Sequence, residues 1–118
     1  MTAASLEALA RALARLEPSV FTIEVVNQHL ILWHGDGDFI YQTNGDIKVN
    51  DDILFGVVWR CAVAQGLRPS VMVSYKSDVL AFCVGTDPTL NVFEARAVTP
   101  GVALALAYCD ARGDKVSL

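Results

Sequence analysis

A chain of 118 residues falls in the range of one folded domain, and 53% hydrophobic against 19% charged residues is an apolar balance for such a domain. No window reaches the roughly 18 consecutive apolar residues that span a bilayer, and the start of the chain lacks the basic, apolar and small-residue regions of a secretory signal, so a cytosolic location with no membrane partner is expected. The formal net charge of −4 argues against direct nucleic-acid binding, which needs a basic surface.

Residues 5–17 read as a helix: Leu6, Leu9, Leu13 and Leu16 form one stripe, Glu7, Arg11 and Arg15 step by four on another face, Ser5 offers a cap and Pro18 a stop. Val20, Phe21, Thr22, Ile23, Val25 and Val26 favour strand by composition, although periodicity leaves 20–28 open between strand and helix. His29–Trp33 reads as a strand running into Gly35-Asp36-Gly37. Asp38–Thr43 resumes with Phe39 and Tyr41 on one face, and Asn44-Gly45 carries a type I′ turn signal.

Asn50 or Asp51 caps a second helix that ends at Gly66, and its apolar interior predicts the central buried helix. Gly56 inside it costs about 1 kcal/mol relative to alanine, which close packing against another backbone would explain. Strands follow at Pro69–Tyr75, at Val79–Val84 (apolar on both faces, hence central) and at Asn91–Val98, where Phe93, Ala95 and Ala97 alternate with Glu94 and Arg96. Thr99-Pro100 starts a last helix that Gly113 ends. The expected fold is one α+β domain over 1–118, frayed at 1–4 and 114–118. An antiparallel sheet of about five strands is packed by three helices in the order α-β-β-α-β-β-β-α.

The chemistry-bearing residues are few. Cys61, Cys83 and Cys109 are odd in number, lack metal-site spacing and sit in apolar stretches, which predicts buried free thiols. His34-Gly-Asp36-Gly-Asp38 loosely resembles a calcium loop, but the full pattern and its distal Glu are missing, and a strand-connecting turn accounts for these residue types. A dyad of His29 or His34 with Cys83 or Ser74 has no activating signature, and Gly85-Thr86-Asp87 lacks the Lys-Ser/Thr end of a phosphate loop. No cofactor, metal or catalytic residue is expected.

Charge distribution says more than its total. Between His34 and Asp52 lie five aspartates and one lysine, Lys48, so this stretch carries the whole net charge of the chain. Asp36, Asp38, Tyr41, Asp46, Asp51 and Asp52 are therefore the expected partner-binding residues, with Trp33, Phe39 and Trp59 as further aromatics that could serve either recognition or the core.

The Leu-Ala-Arg-Leu-Glu-Pro run at 13–18, the helix 51–66 closing on Gln-Gly before a strand, and Glu94-Ala-Arg-Ala-Val-Thr-Pro-Gly running into an alanine-rich helix to Arg112 resemble the phage ABA sandwich domain family. The resemblance covers about two-thirds of the chain and departs over 20–48, which is richer in strand signals; its motifs are capping and packing features, so no active-site residue comes with it. The element order is also similar to roadblock- and profilin-type domains, a topological analogy. What the resemblance implies is a phage or prophage accessory protein that acts by contact with a host or phage protein, inhibition of a host defence system such as CRISPR being one version. The alternatives are a structural homo-oligomer, such as a homodimer that buries the apolar excess, and a small-ligand binder or hydrolase using His34 and the nearby aspartates.

Overall fold

The computed structural model describes residues 2–35, 37–45, 47–73, 79–85 and 91–117. The chain divides into two compact units, one running to Asn50 and taking in the tail from Val116, the other spanning Asp51–Lys115.

The first unit opens with α1 (Ala3–Leu16), capped by Thr2, whose Oγ1 accepts the Ser5 N–H at 3.1 Å. The cap is thus Thr2 rather than Ser5, because the Thr hydroxyl three residues ahead satisfies a free first-turn donor. Leu6, Leu9 and Leu13 are buried with Ala10 and Ala12, and the exposed Glu7–Arg11 pair closes at 2.9 Å. β1 (Phe21–Val26), β2 (His29–His34) and β3 (Asp38–Gln42) form an antiparallel meander in that order, with α1 packed on β1. The stretch left open at 20–28 is therefore strand followed by turn.

Asn27 and Gln28, at φ 48° and 66°, join β1 to β2 with the two positive-φ residues of a type I′ connection. The expected type I′ turn at Asn44-Gly45 is not the hairpin connection: after β3 the chain returns only as an isolated bridge between Tyr41 and Val49. Because Gln28 holds a left-handed backbone that glycine adopts freely, Gln28→Gly is expected to raise stability by about 1 kcal/mol, read as a higher urea midpoint at unchanged slope.

β3 also departs from simple alternation. Ile31 pairs with Gln42 and Leu32 with Tyr41, but Trp33 pairs with Phe39, so Ile40 is an extra residue, a bulge. Ile40 and Tyr41 are consecutive and both buried, while Phe39 stays half-buried and meets Trp33 edge to face at 5.8 Å. The expectation that Phe39 and Tyr41 share a face fails for this reason: one inserted residue moves the following side chain to the other side.

The second unit comprises α2 (Asp51–Ala64), β4 (Arg68–Val73), β5 (Val79–Val84), β6 (Val92–Ala97) and α3 (Pro100–Ala111). Its strands form an antiparallel sheet with β5 in the centre, as the two-sided apolar run predicts. The α-β-β-β-α-β-β-β-α order thus has six strands in two three-stranded sheets instead of about five in one sheet. The extra strand arises because the β1–β2 turn is built from Asn-Gln, without the glycine or proline that usually marks one.

Gly66 (φ 77°) ends α2 and Gly113 (φ 82°) ends α3; each supports paired 6→1 and 5→2 bonds, Leu67 N–H to Ala62 O with Gly66 N–H to Val63 O, and Asp114 N–H to Cys109 O with Gly113 N–H to Asp110 O. The fully enclosed helix is α3, not α2. Every residue from Gly101 to Cys109 is buried, with α3 lying along α2, β5 and β6. α2 buries only Leu54, Val57, Val58, Cys61 and Ala62. Alanine and glycine let α3 approach its neighbours from all sides, a role hydrophobicity alone does not reveal.

Candidate functional site

The residues expected to bind a partner do not form one acidic face. Asp36 and Asp46 lie outside the described residues. Asp38 opens β3 with its side chain 66% exposed, its Oδ2 lying 3.6 Å from His34 Nδ1. Tyr41 is fully buried, and its hydroxyl donates to the Leu6 carbonyl of α1 at 2.6 Å; as a core residue it offers a partner no surface.

Asp51 and Asp52 begin the second unit. Asp51 does not cap its own helix: Oδ1 accepts the Thr99 hydroxyl at 2.6 Å and Oδ2 accepts the Gly101 N–H at 2.8 Å, so its carboxylate closes the N-terminus of α3. Thr99 is the N-cap by position but makes no capping bond of its own, its hydroxyl being given to Asp51. Asn50, the other expected cap, donates from Nδ2 to Phe39 O at 2.8 Å in the first unit. Asp52 is exposed in the first turn of α2.

The aromatics separate likewise. Trp33 pairs with Phe39, whereas Trp59 pairs one helical turn away with Phe55, ring centroids 5.5 Å apart. Around that second pair lies a feature the sequence reading passed over. An open groove of about 520 Å³ runs between α2 and the edge strand β4, lined by Phe55, Gly56, Trp59, Ser70 and Val71. On β5 the alternate residues Val79, Ala81 and Cys83 are buried, but Val73 and Val71, which pair with Val79 and Ala81, remain 70% and 36% exposed. Val63 at 55% extends the apolar surface along α2, whereas Met72, 53% exposed, alternates onto the other face of β4. Among the described residues no other element of this chain packs against Gly56, and a Cβ built there would meet nothing within 4 Å; packing within the chain does not explain this glycine. The available signal was the 3-4-4 spacing of Asp52, Phe55, Trp59 and Val63, which puts two aromatics on the exposed side of a helix.

Among the described residues no three His, Cys, Asp or Glu side chains come together as a metal site, and no helix is long and apolar enough to cross a membrane. All three cysteines are buried thiols outside any disulfide. Ser74, Thr86 and Asp87 lie outside the described residues. Burial pushes the Cys83 thiol up from 9.0 to about 11, opposite to the shift that activates a nucleophile. In the unfolded chain the thiol ionises first, so between pH 9 and 11 the folded state binds more protons and stability falls as pH rises. Urea titrations across this window are expected to show that decline, and Cys83→Ala to flatten it.

No family model matches the chain, and no curated protein or solved structure does either.

Proposed function

We propose that this protein works by protein–protein contact, without chemistry of its own, and that its binding face is the α2–β4 groove of the second unit. The observation that carries this reading is the groove itself: two aromatics in tilted contact, a helical glycine that leaves the floor open, and an edge strand whose Val71 and Val73 are exposed. Apolar area of this kind, with Trp at its centre and an unpaired strand edge beside it, is what protein partners use. The setting that the family resemblance implies, a phage or prophage accessory protein meeting a host or phage protein, is part of the proposal, as is inhibition of a host defence system.

Asp52 in the first turn of α2, with the exposed Arg60 further along it and Arg68 at the start of β4, suits a polar rim around an apolar centre. Asp38 contributes negative charge in the first unit, but the acidic hairpin is a secondary candidate, because Tyr41 and Asp51 are spent on internal hydrogen bonds. A photocrosslinking residue at position 71, activated in a host lysate, is expected to yield discrete protein adducts that Trp59→Glu abolishes. Absence of any protein adduct from position 71 would reject the groove as a protein-binding face.

A further inference from the structure

The exposed side of α2 is ordered in a way that specifies its occupant. Asp52, Phe55, Trp59 and Val63 follow one another at helical spacing along the side of α2 that lines the groove, and Arg60 flanks them, exposed. Among the described residues Asp52 and Arg60 make no ion pair. They lie eight residues apart, about 12 Å along the helix axis, and the residue midway between them is Gly56. An acid and a base placed symmetrically about a residue without a side chain are self-complementary under a twofold rotation.

We infer that the groove is filled by a second copy of this chain, with the two α2 helices crossing antiparallel at Gly56 and the β4 edges brought together beneath them. The inference rests on the reading of the groove as a protein-binding face and names its partner. Antiparallel crossing sets Asp52 of each copy opposite Arg60 of the other, twice over, which is the arrangement an isologous interface requires. Gly56 lets the helix backbones approach at the crossing point, and this explains why the helix keeps a residue that costs about 1 kcal/mol in its interior. Phe55 and Trp59 flank the crossing and cover the exposed Val71 and Val73 rows. Arg68, exposed at the start of β4 and also without an ionic partner among the described residues, lies at the opposite end of the groove from Asp52, because the chain reverses through Gly66. The polarity of strand and helix therefore agree.

The test is sedimentation equilibrium of the whole chain over a wide concentration range, with circular dichroism to verify folding of each variant. The wild type is expected to be a dimer at micromolar concentration. Gly56→Leu is expected to give folded monomer, and Gly56→Ala to raise the stability of the monomer while weakening association. Asp52→Lys, which sets two like-charge contacts in place of two attractive ones, is expected to weaken the dimer about tenfold or more, and the double variant Asp52→Lys/Arg60→Glu to recover most of the loss. A wild type that stays monomeric at high micromolar concentration, or a double variant no tighter than Asp52→Lys alone, would overturn the second-copy assignment. Position-71 adducts of another chain's mass alongside a monomeric wild type would reject the second copy while leaving the groove a protein-binding face; adducts of twice the chain's mass support both.

Discussion

Replacing Gly101 with alanine is expected to cost the second unit about 3 kcal/mol or more, the range reached when a side chain is forced into a packed site. A Cβ at position 101 would lie 2.5 Å from Asp51 Oδ1, 2.8 Å from its Cγ and 2.7 Å from its backbone oxygen. The carboxylate can swing away, at the loss of its bonds to Thr99 and Gly101; the backbone oxygen belongs to the first turn of α2 and cannot. Asp51→Ala removes the same two charge-assisted bonds without the clash, so about 3 kcal/mol is expected there too. Asp51→Asn should fall between wild type and alanine, since an amide oxygen still accepts one of the two donors. The losses should be less than additive in the double Asp51→Ala/Gly101→Ala variant, because part of what alanine at 101 destroys is already gone. Urea denaturation of the wild type and the four variants measures all of this, and an additive result would separate the clash from the carboxylate.

The second large effect lies in the first unit. Tyr41→Phe removes a buried hydroxyl that ties β3 to α1 through the Leu6 carbonyl, and a loss of about 1.5 kcal/mol is expected. Tyr41→Ala removes the ring from a fully enclosed position and should cost about 4 kcal/mol. The pair of variants separates hydrogen bond from packing, and both are read as shifts in the urea midpoint. Neither is expected to alter association through the groove in whatever fraction remains folded, which distinguishes a core tyrosine from a contact residue.

What could be read from the sequence was local. Gly66 and Gly113 mark their helix ends because a left-handed residue after the last turn is a property of a few consecutive residues. Likewise Thr99-Pro100 starts α3, and Glu94 and Arg96 alternate with Phe93, Ala95 and Ala97 on β6 as expected. Failures occur where the deciding partner is distant in sequence. Asp51 looks like a cap for its own helix, and only the arrival of residues 99–101 turns it to α3. Tyr41 looks as if it shares a strand face with Phe39 and is open to a partner, and only the register of β2 against β3 shows the extra Ile40 that separates the two. α2 has the bulkier apolar residues and was expected to be the enclosed helix, yet small residues allow α3 that place. The groove residues were all visible, but nothing local shows that Gly56 faces an open surface and not another element of the same chain.

The Asp51 contact also bears on the order in which the chain acquires structure during synthesis. In the first unit the most extensive contacts join elements adjacent along the chain, α1 to β1, β1 to β2 and β2 to β3, with the Tyr41–Leu6 bond closing over a shorter span of 35 residues, so these elements can form largely as they emerge. The second unit's first residue waits for partners 48 and 50 positions later. Until Thr99 and Gly101 have left the ribosome, the carboxylate that fastens α3 has nothing to hold, and the alanine-rich helix α3, which lies along α2 and the sheet, does not yet exist. Long-range closure of this kind is slow. The nascent second unit therefore passes through an interval in which its apolar strands are made but uncovered, and truncation anywhere before α3 should leave it dependent on chaperones.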